Sequence, residues 1–150
     1  MPIKVLELHH HGIRIDPSDE ALVKAREFYS GLLGLQADEG RPDIPGIPGW
    51  WMYVGDDEQR TQIHLMGAVG VSPVARDAEA DPTRPHVALA VESIDEARRE
   101  LEERGVRHWT VRSLVGNDSD QVFVPDPFGN IIELHQIGTC RCNRVTLSGG

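Results

Sequence analysis

The chain has 150 residues, 39% of them hydrophobic and 26% charged, as in one globular domain or two small modules sharing a core. A net charge of -9 with no basic patch to offset it argues against a nucleic-acid partner, and no stretch reaches the apolar length of a membrane span. The opening Met-Pro-Ile-Lys-Val lacks the apolar core of a signal peptide. Cys140 and Cys142 stand too close for an unstrained disulfide framework, so a reduced, cytoplasmic protein is expected.

Residues 5–15 alternate as a strand, with Leu8, His10, Gly12 and Arg14 on one face and His9 and His11 on the other. Asp16-Pro17 breaks it. Ser18 is a fair N-cap for a helix over 19–33, whose apolar face is Leu22, Ala25, Phe28, Tyr29 and Leu32, and Gly34 can end it. Residues 40–49 are too rich in proline and glycine for a regular element. A strand at 50–54, carrying Trp50, Trp51 and Tyr53, and a polar turn at 55–60 lead to a strand at 61–66 with Gln62, His64 and Met66 on one face.

Residues 67–84, rich in small residues, aspartate and proline, read as a linker. The pattern then restarts. His86 to Val91 is a strand, and Ser93-x-x-Glu96 is a capping box opening a helix to about residue 104 with Ala97 and Leu101 inward. Strands follow at 106–111, 121–124 and 131–136. The turn Asp126-Pro127-Phe128-Gly129-Asn130 enters the last of these, and the tail 138–150 shows no amphipathic pattern.

The restart is an internal repeat. His10-His11-Gly12-Ile13-Arg14-Ile15 matches His86-Val87-Ala88-Leu89-Ala90-Val91 as His-x-small-Ile/Leu-x-Ile/Val. Asp19-Glu20-Ala21 follows His10 at the same offset as Asp95-Glu96-Ala97 follows His86, and Ile63-His64-Leu65 corresponds to Ile132-Glu133-Leu134. An α+β fold of two βαβββ modules follows: module one at about 5–66, linker 67–84, module two at about 85–137 and tail 138–150. Pseudo-symmetric packing of the modules would form a curved mixed-sheet cup with the helices outside.

In that arrangement His10, His64, His86 and Glu133 converge from four strands. A carboxylate on a buried strand is costly unless paired, protonated or bound to metal. Imidazoles with a carboxylate suit a divalent ion such as Zn, Ni, Co, Fe or Mn. His10, His86 and Glu133 also satisfy the 2-His-1-carboxylate pattern of non-haem Fe(II) sites. Trp51, Gln62, Met66 and Phe123 are candidate walls of a substrate cavity, and His135 shares the face of Glu133 near a strand end, where a solvated or hydrogen-bonded role suits it. His108 is unassigned, and Cys140-Arg141-Cys142 is read as without function.

These segments carry a resemblance. His10-x-x-x-Arg14, Ala25-Arg26-Glu27-Phe28-Tyr29-x-x-Leu32-Leu33-Gly34-Leu35, His86 to Val91 and Asp126-Pro127-x-Gly129-Asn130-Ile131-Ile132-Glu133-Leu134 resemble the vicinal oxygen chelate superfamily over nearly the whole chain to residue 137. It includes glyoxalase I, methylmalonyl-CoA epimerase, extradiol dioxygenases, and fosfomycin and bleomycin resistance proteins. The resemblance implies His10 and His86 as first-strand ligands, His64 at a position often Glu or Gln, and Glu133 as final ligand and base. Arg14 falls where glyoxalase I has an arginine for a substrate carboxylate. Histidine at position 64 departs from glyoxalase I and points to uncharacterised glyoxalase-like members. The implied protein is a metal-dependent lyase or isomerase acting on a small oxygen-chelating substrate, in a homodimer. An Fe(II) dioxygenase and an antibiotic-sequestering binding protein are the alternatives.

Overall fold

The computed structural model describes residues 1–55, 61–112, 120–127 and 129–138. The polar turn after residue 55, the loop before β7, and Cys140 and Cys142 in the tail fall wholly or mostly outside the described residues. The fold is α+β, two βαβββ modules in chain order. The strands are β1 Val5–Ile15, β2 Gln36–Ala37, β3 Gly49–Val54, β4 Thr61–Gly67, β5 His86–Val91, β6 Trp109–Arg112, β7 Asp120–Pro125 and β8 Ile131–Gln136. The helices are α1 Asp19–Arg26, continued by a π-helical turn Glu27–Leu32, and α2 Ile94–Glu103. The chain divides into two compact units, residues 10–86 and residues 1–9 with 87–150, so the division falls inside β1 and at the first residue of β5.

In the 10–86 unit the strands run in the order β2-β3-β4-β1. β1 pairs parallel with β4, setting His10 opposite Gln62 and Gly12 opposite His64, and β3 pairs antiparallel with β4, setting Trp51 opposite His64. Ala37, Met52 and Leu65 form the core, with Ile13, Ile15, Ala25, Tyr29 and Trp50 against it. Ser18 caps α1 by accepting from the Ala21 amide, and the Trp50 indole donates to the Leu22 carbonyl at 2.9 Å, tying helix to sheet. Of the anticipated apolar stripe, Leu22, Ala25 and Tyr29 are partly buried. Phe28 and Leu32 are exposed, because the π-helical turn carries more than 3.6 residues per turn and drives positions set at that spacing out of phase.

Residues 67–84, read as a linker, belong to the same unit, with Gly67 as the last residue of β4. Ala80, Asp81 and Thr83 are buried, and Asp81 gathers the segment around its carboxylate. It accepts from the Ser72 amide (2.7 Å) and hydroxyl (2.6 Å), the Thr83 amide (3.0 Å) and hydroxyl (2.8 Å), and the Arg14 guanidinium (2.9 Å). Burial pushes the Asp81 carboxyl up, but the hydrogen bonds from Ser72 and Thr83 outweigh it and hold the group below the ordinary carboxylate value.

In the other unit the order is β5-β8-β7-β6, the same arrangement of corresponding strands. Ser93 accepts from the Glu96 amide at 3.2 Å, as the capping box requires. Ile94, Ala97 and Leu101 of α2 pack with Val91, Val122 and Leu134. The turn before β8 closes as its residues dictate. Asp126 accepts from the Asn130 amide at 2.9 Å, and Gly129 sits at φ +85°, open to glycine.

Candidate metal centre

Parallel pairing of β1 with β4 brings His10 and His64 side by side within the 10–86 unit, and Trp51 from β3 flanks His64 on the other side. The three rings stack: His10 on His64 at 3.7 Å between centroids and 16°, Trp51 on His64 at 4.3 Å and 9°. His86 meets His10 edge-on at 85°, its Nε2 standing 3.1 Å from the Nε2 of His10. All three histidines are buried. The His86 ring occupies space left by Gly12: a Cβ built there would lie 2.2 Å from His86 Cε1. Gly12 is therefore required for room.

This pair fits a metal ion. Two nitrogens on one ion at about 2.1 Å, separated by 90–109°, stand roughly 3.0–3.4 Å apart. His86 Nδ1 lies 2.6 Å from the Arg84 carbonyl, which can only accept, so the neutral ring carries its proton on Nδ1 and its lone pair on Nε2, facing His10.

The other residues read from the sequence are placed as follows. Gln62 is fully buried, its Nε2 donating to Asp38 Oδ2 at 2.9 Å and its Oε1 accepting from His64 Nε2 at 2.8 Å. Trp51 is buried beneath the Arg41 guanidinium. Arg14 directs its guanidinium to Asp81 and to Thr83 Oγ1 (2.8 Å), with a quarter of its side chain exposed.

In the 1–9/87–150 unit, β8 buries Glu133 and His135 side by side. Glu133 Oε1 accepts from Gln121 Nε2 at 3.1 Å and is paired with His135 Nε2. Phe123, opposite Glu133 in the β7–β8 register, is buried and stacked on Trp109. Of the two roles expected of His135, solvated or hydrogen-bonded, burial beside Glu133 removes the first, since β8 keeps its inward face to its end. His9 is also buried, stacked on His135 at 4.6 Å. Consecutive buried histidines break the simple parity of β1, because each side chain packs into a different unit. His11 is exposed, and His108 Nδ1 is hydrogen-bonded to the Val106 carbonyl. Asp38, Gly12, His9 and Gln121 escaped sequence reading. The small-residue slot of the repeat was the one signal, pointing to Gly12.

Two βαβββ modules in succession, each with a buried histidine on its first strand, define a recognisable class. The chain belongs to the Glyoxalase/Bleomycin resistance protein/Dioxygenase superfamily, whose model matches residues 8–134. No curated protein matches the sequence. Among solved structures it is similar to hypothetical protein BH1468 from Bacillus halodurans C-125, with 26% identity, TM-score 0.62, and coverage of 87% of this chain and 93% of that one. Methylmalonyl-CoA epimerase from Mycobacterium tuberculosis shares the fold at 24% identity and TM-score 0.61, covering 91% of each chain. So does the E323L mutant of homoprotocatechuate 2,3-dioxygenase from Brevibacterium fuscum, at 18% identity and TM-score 0.59, covering 89% of this chain and 33% of that one. Among the described residues no helix is long and apolar enough to cross a membrane.

Proposed function

We propose that this chain is a divalent-metal-dependent, glyoxalase-like lyase or isomerase acting on a small substrate that chelates through neighbouring oxygens. The observation that carries the reading is the 3.1 Å approach of His10 and His86 Nε2 atoms, with His86 oriented by a backbone carbonyl. Glu133 joins them from its correspondence with the superfamily's final ligand, and His64 is the fourth candidate. Zn, Ni, Co, Fe or Mn suits nitrogen and carboxylate donors of this kind. When bound, such an ion supplies Lewis-acid stabilisation of negative charge on a substrate oxygen.

The chain's own residues supply the rest. Glu133 is the group to accept a substrate proton at its carboxylate, with Gln121 and His135 holding that carboxylate in place. Arg14 is the candidate to hold an anionic group of the substrate, while Trp51, Gln62 and Phe123 shape the cavity. The protein is proposed to work as a cytoplasmic homodimer, a setting that a monomer in light scattering would overturn.

A second reading, a non-haem Fe(II) dioxygenase using His10, His86 and Glu133, is favoured by the stacking of His64 flat on His10. Three ligands leave positions open for substrate and oxygen together. Metal analysis of protein purified without added metal tests both. Stoichiometric metal that disappears in His10→Ala, His86→Ala and Glu133→Ala supports the site, and metal that survives all three sinks it. Iron with substrate-dependent oxygen uptake selects the dioxygenase; Zn or Ni without oxygen dependence selects the lyase or isomerase.

A further inference from the structure

We infer that Asp38 and Gln62 are positioning residues that lock His64 as its Nε2–H tautomer, and that His64 orients His10 from outside the metal's ligand set. This rests on the metal-centre reading above for what His10 does and departs from it in removing His64 as fourth ligand, while the tautomer of His64 stands on hydrogen-bond chemistry within the 10–86 unit.

The lock starts at Asp38, immediately after β2. Its amide donates to the Trp51 carbonyl at 2.8 Å, and its Oδ1 accepts from the Gly40 amide at 2.9 Å, so the carboxylate is fixed at both ends. Its Oδ2 faces the side-chain amide of Gln62 at 2.9 Å. A carboxylate only accepts, so the NH₂ end of Gln62 must turn to Asp38 and the carbonyl end to His64. That carbonyl also only accepts. His64 Nε2, 2.8 Å away, is therefore the protonated nitrogen, and the lone pair of the neutral ring resides on Nδ1. Reversing the amide would set oxygen against oxygen at Asp38, in a site where Gln62 is fully buried.

Ring geometry agrees. An imidazole lone pair lies in the plane of its ring. The His10 and His64 planes are inclined by 16° with centroids 3.7 Å apart, so they run nearly parallel and an ion cannot lie in both at bonding distance. His10 and His86, inclined by 85°, have no such conflict. His64 is thus held between Trp51 and His10, and its face sets the plane in which His10 presents Nε2.

The test is long-range ¹H–¹⁵N correlation of the histidine side chains at about pH 8, during titration with Zn²⁺, which is diamagnetic. In the free protein His64 should show a protonated Nε2 and an unprotonated Nδ1. Zn²⁺ should move the Nε2 resonances of His10 and His86 while His64 Nε2 stays protonated. Asp38→Ala or Gln62→Leu should mix the His64 tautomers and weaken Zn²⁺ by about 10–100-fold. His64→Ala should keep stoichiometric Zn²⁺. A protonated Nδ1 on His64 in the wild type, or Zn²⁺ displacing its Nε2 proton, overturns the inference whether or not the variants fold. If no histidine responds to Zn²⁺, the metal reading fails and the tautomer result is still decided.

Discussion

Helix α1 and its π-helical continuation bury none of their residues, whereas α2 buries Ile94, Ala97 and Leu101 in the core of its module. The polar interior is distributed the other way. The unit with the loosely seated helix holds His10, His64, His86 and the Asp81 network, and the unit with the well-seated helix holds Glu133 with His135, His9 and Gln121. The corresponding last-strand residues His64 and Glu133 show the same division through their glutamine partners, which stand on the non-corresponding strands β4 and β7. Gln62 offers its carbonyl to His64, while Gln121 offers its NH₂ to Glu133. Duplication of an element order thus fixes where a side chain stands and leaves its chemistry free to diverge, with an amide able to serve either polarity.

Three substitutions and one control, Leu32→Ala, probe that division, beginning with the largest effect. Leu101→Ala should cost about 2–5 kcal/mol in urea unfolding by opening a cavity under α2. Leu32→Ala on the exposed π-helical turn should stay within about 0.5 kcal/mol. Equal losses would show that the first module's helix is seated as firmly as the second's. Gly12→Ala drives a methyl into the His86 ring and should weaken metal binding by about 100-fold in isothermal titration, with the far-ultraviolet dichroism kept. Unchanged affinity would mean His86 has room to move.

Asp81→Asn is the smallest of the three. It leaves the Arg14 charge without its partner and should cost about 2 kcal/mol at pH 7, less than a fully buried pair because Arg14 is a quarter exposed. Because the folded carboxyl titrates below its ordinary value, this contribution is present above about pH 4 and fades as pH falls through the lower folded value. A wild-type-minus-variant difference that instead grew on acidification would reverse the sign of the argument.

Strands β1, β5 and β8 were legible to the residue, because each couples a strong β pattern to a hard stop: Asp16-Pro17, Ser93, or the Asp126–Asn130 turn. Both serine caps were legible for the same local reason. What escaped depended on distant partners. The π-helical turn has no signature at 3.6 spacing. Asp81 in a proline-rich segment looked like linker chemistry until Ser72, Thr83 and Arg14 closed on it. Among site residues, His10, His64 and His86 came from the repeat, and the structure gathers them; Asp38 carries no pattern that points 24 residues ahead to Gln62. His9 was set aside by alternation, a rule that presumes one buried face where β1 serves two packed units.

That double service gives β1 an unusual intolerance to length change. His9 stacks on His135 and His10 on His64, although the two are neighbours in the chain. Deleting or inserting one residue between His10 and Gly12, while Gly12–Ile15 keep their pairing to β4, would slide an unintended side chain into each cluster. In an insertion scan, the proline-rich stretch at 40–48 should absorb single residues up to the buried Ile44 and Ile47. The β1 histidine tract should absorb none, marking an eleven-residue strand as the least editable length in the chain.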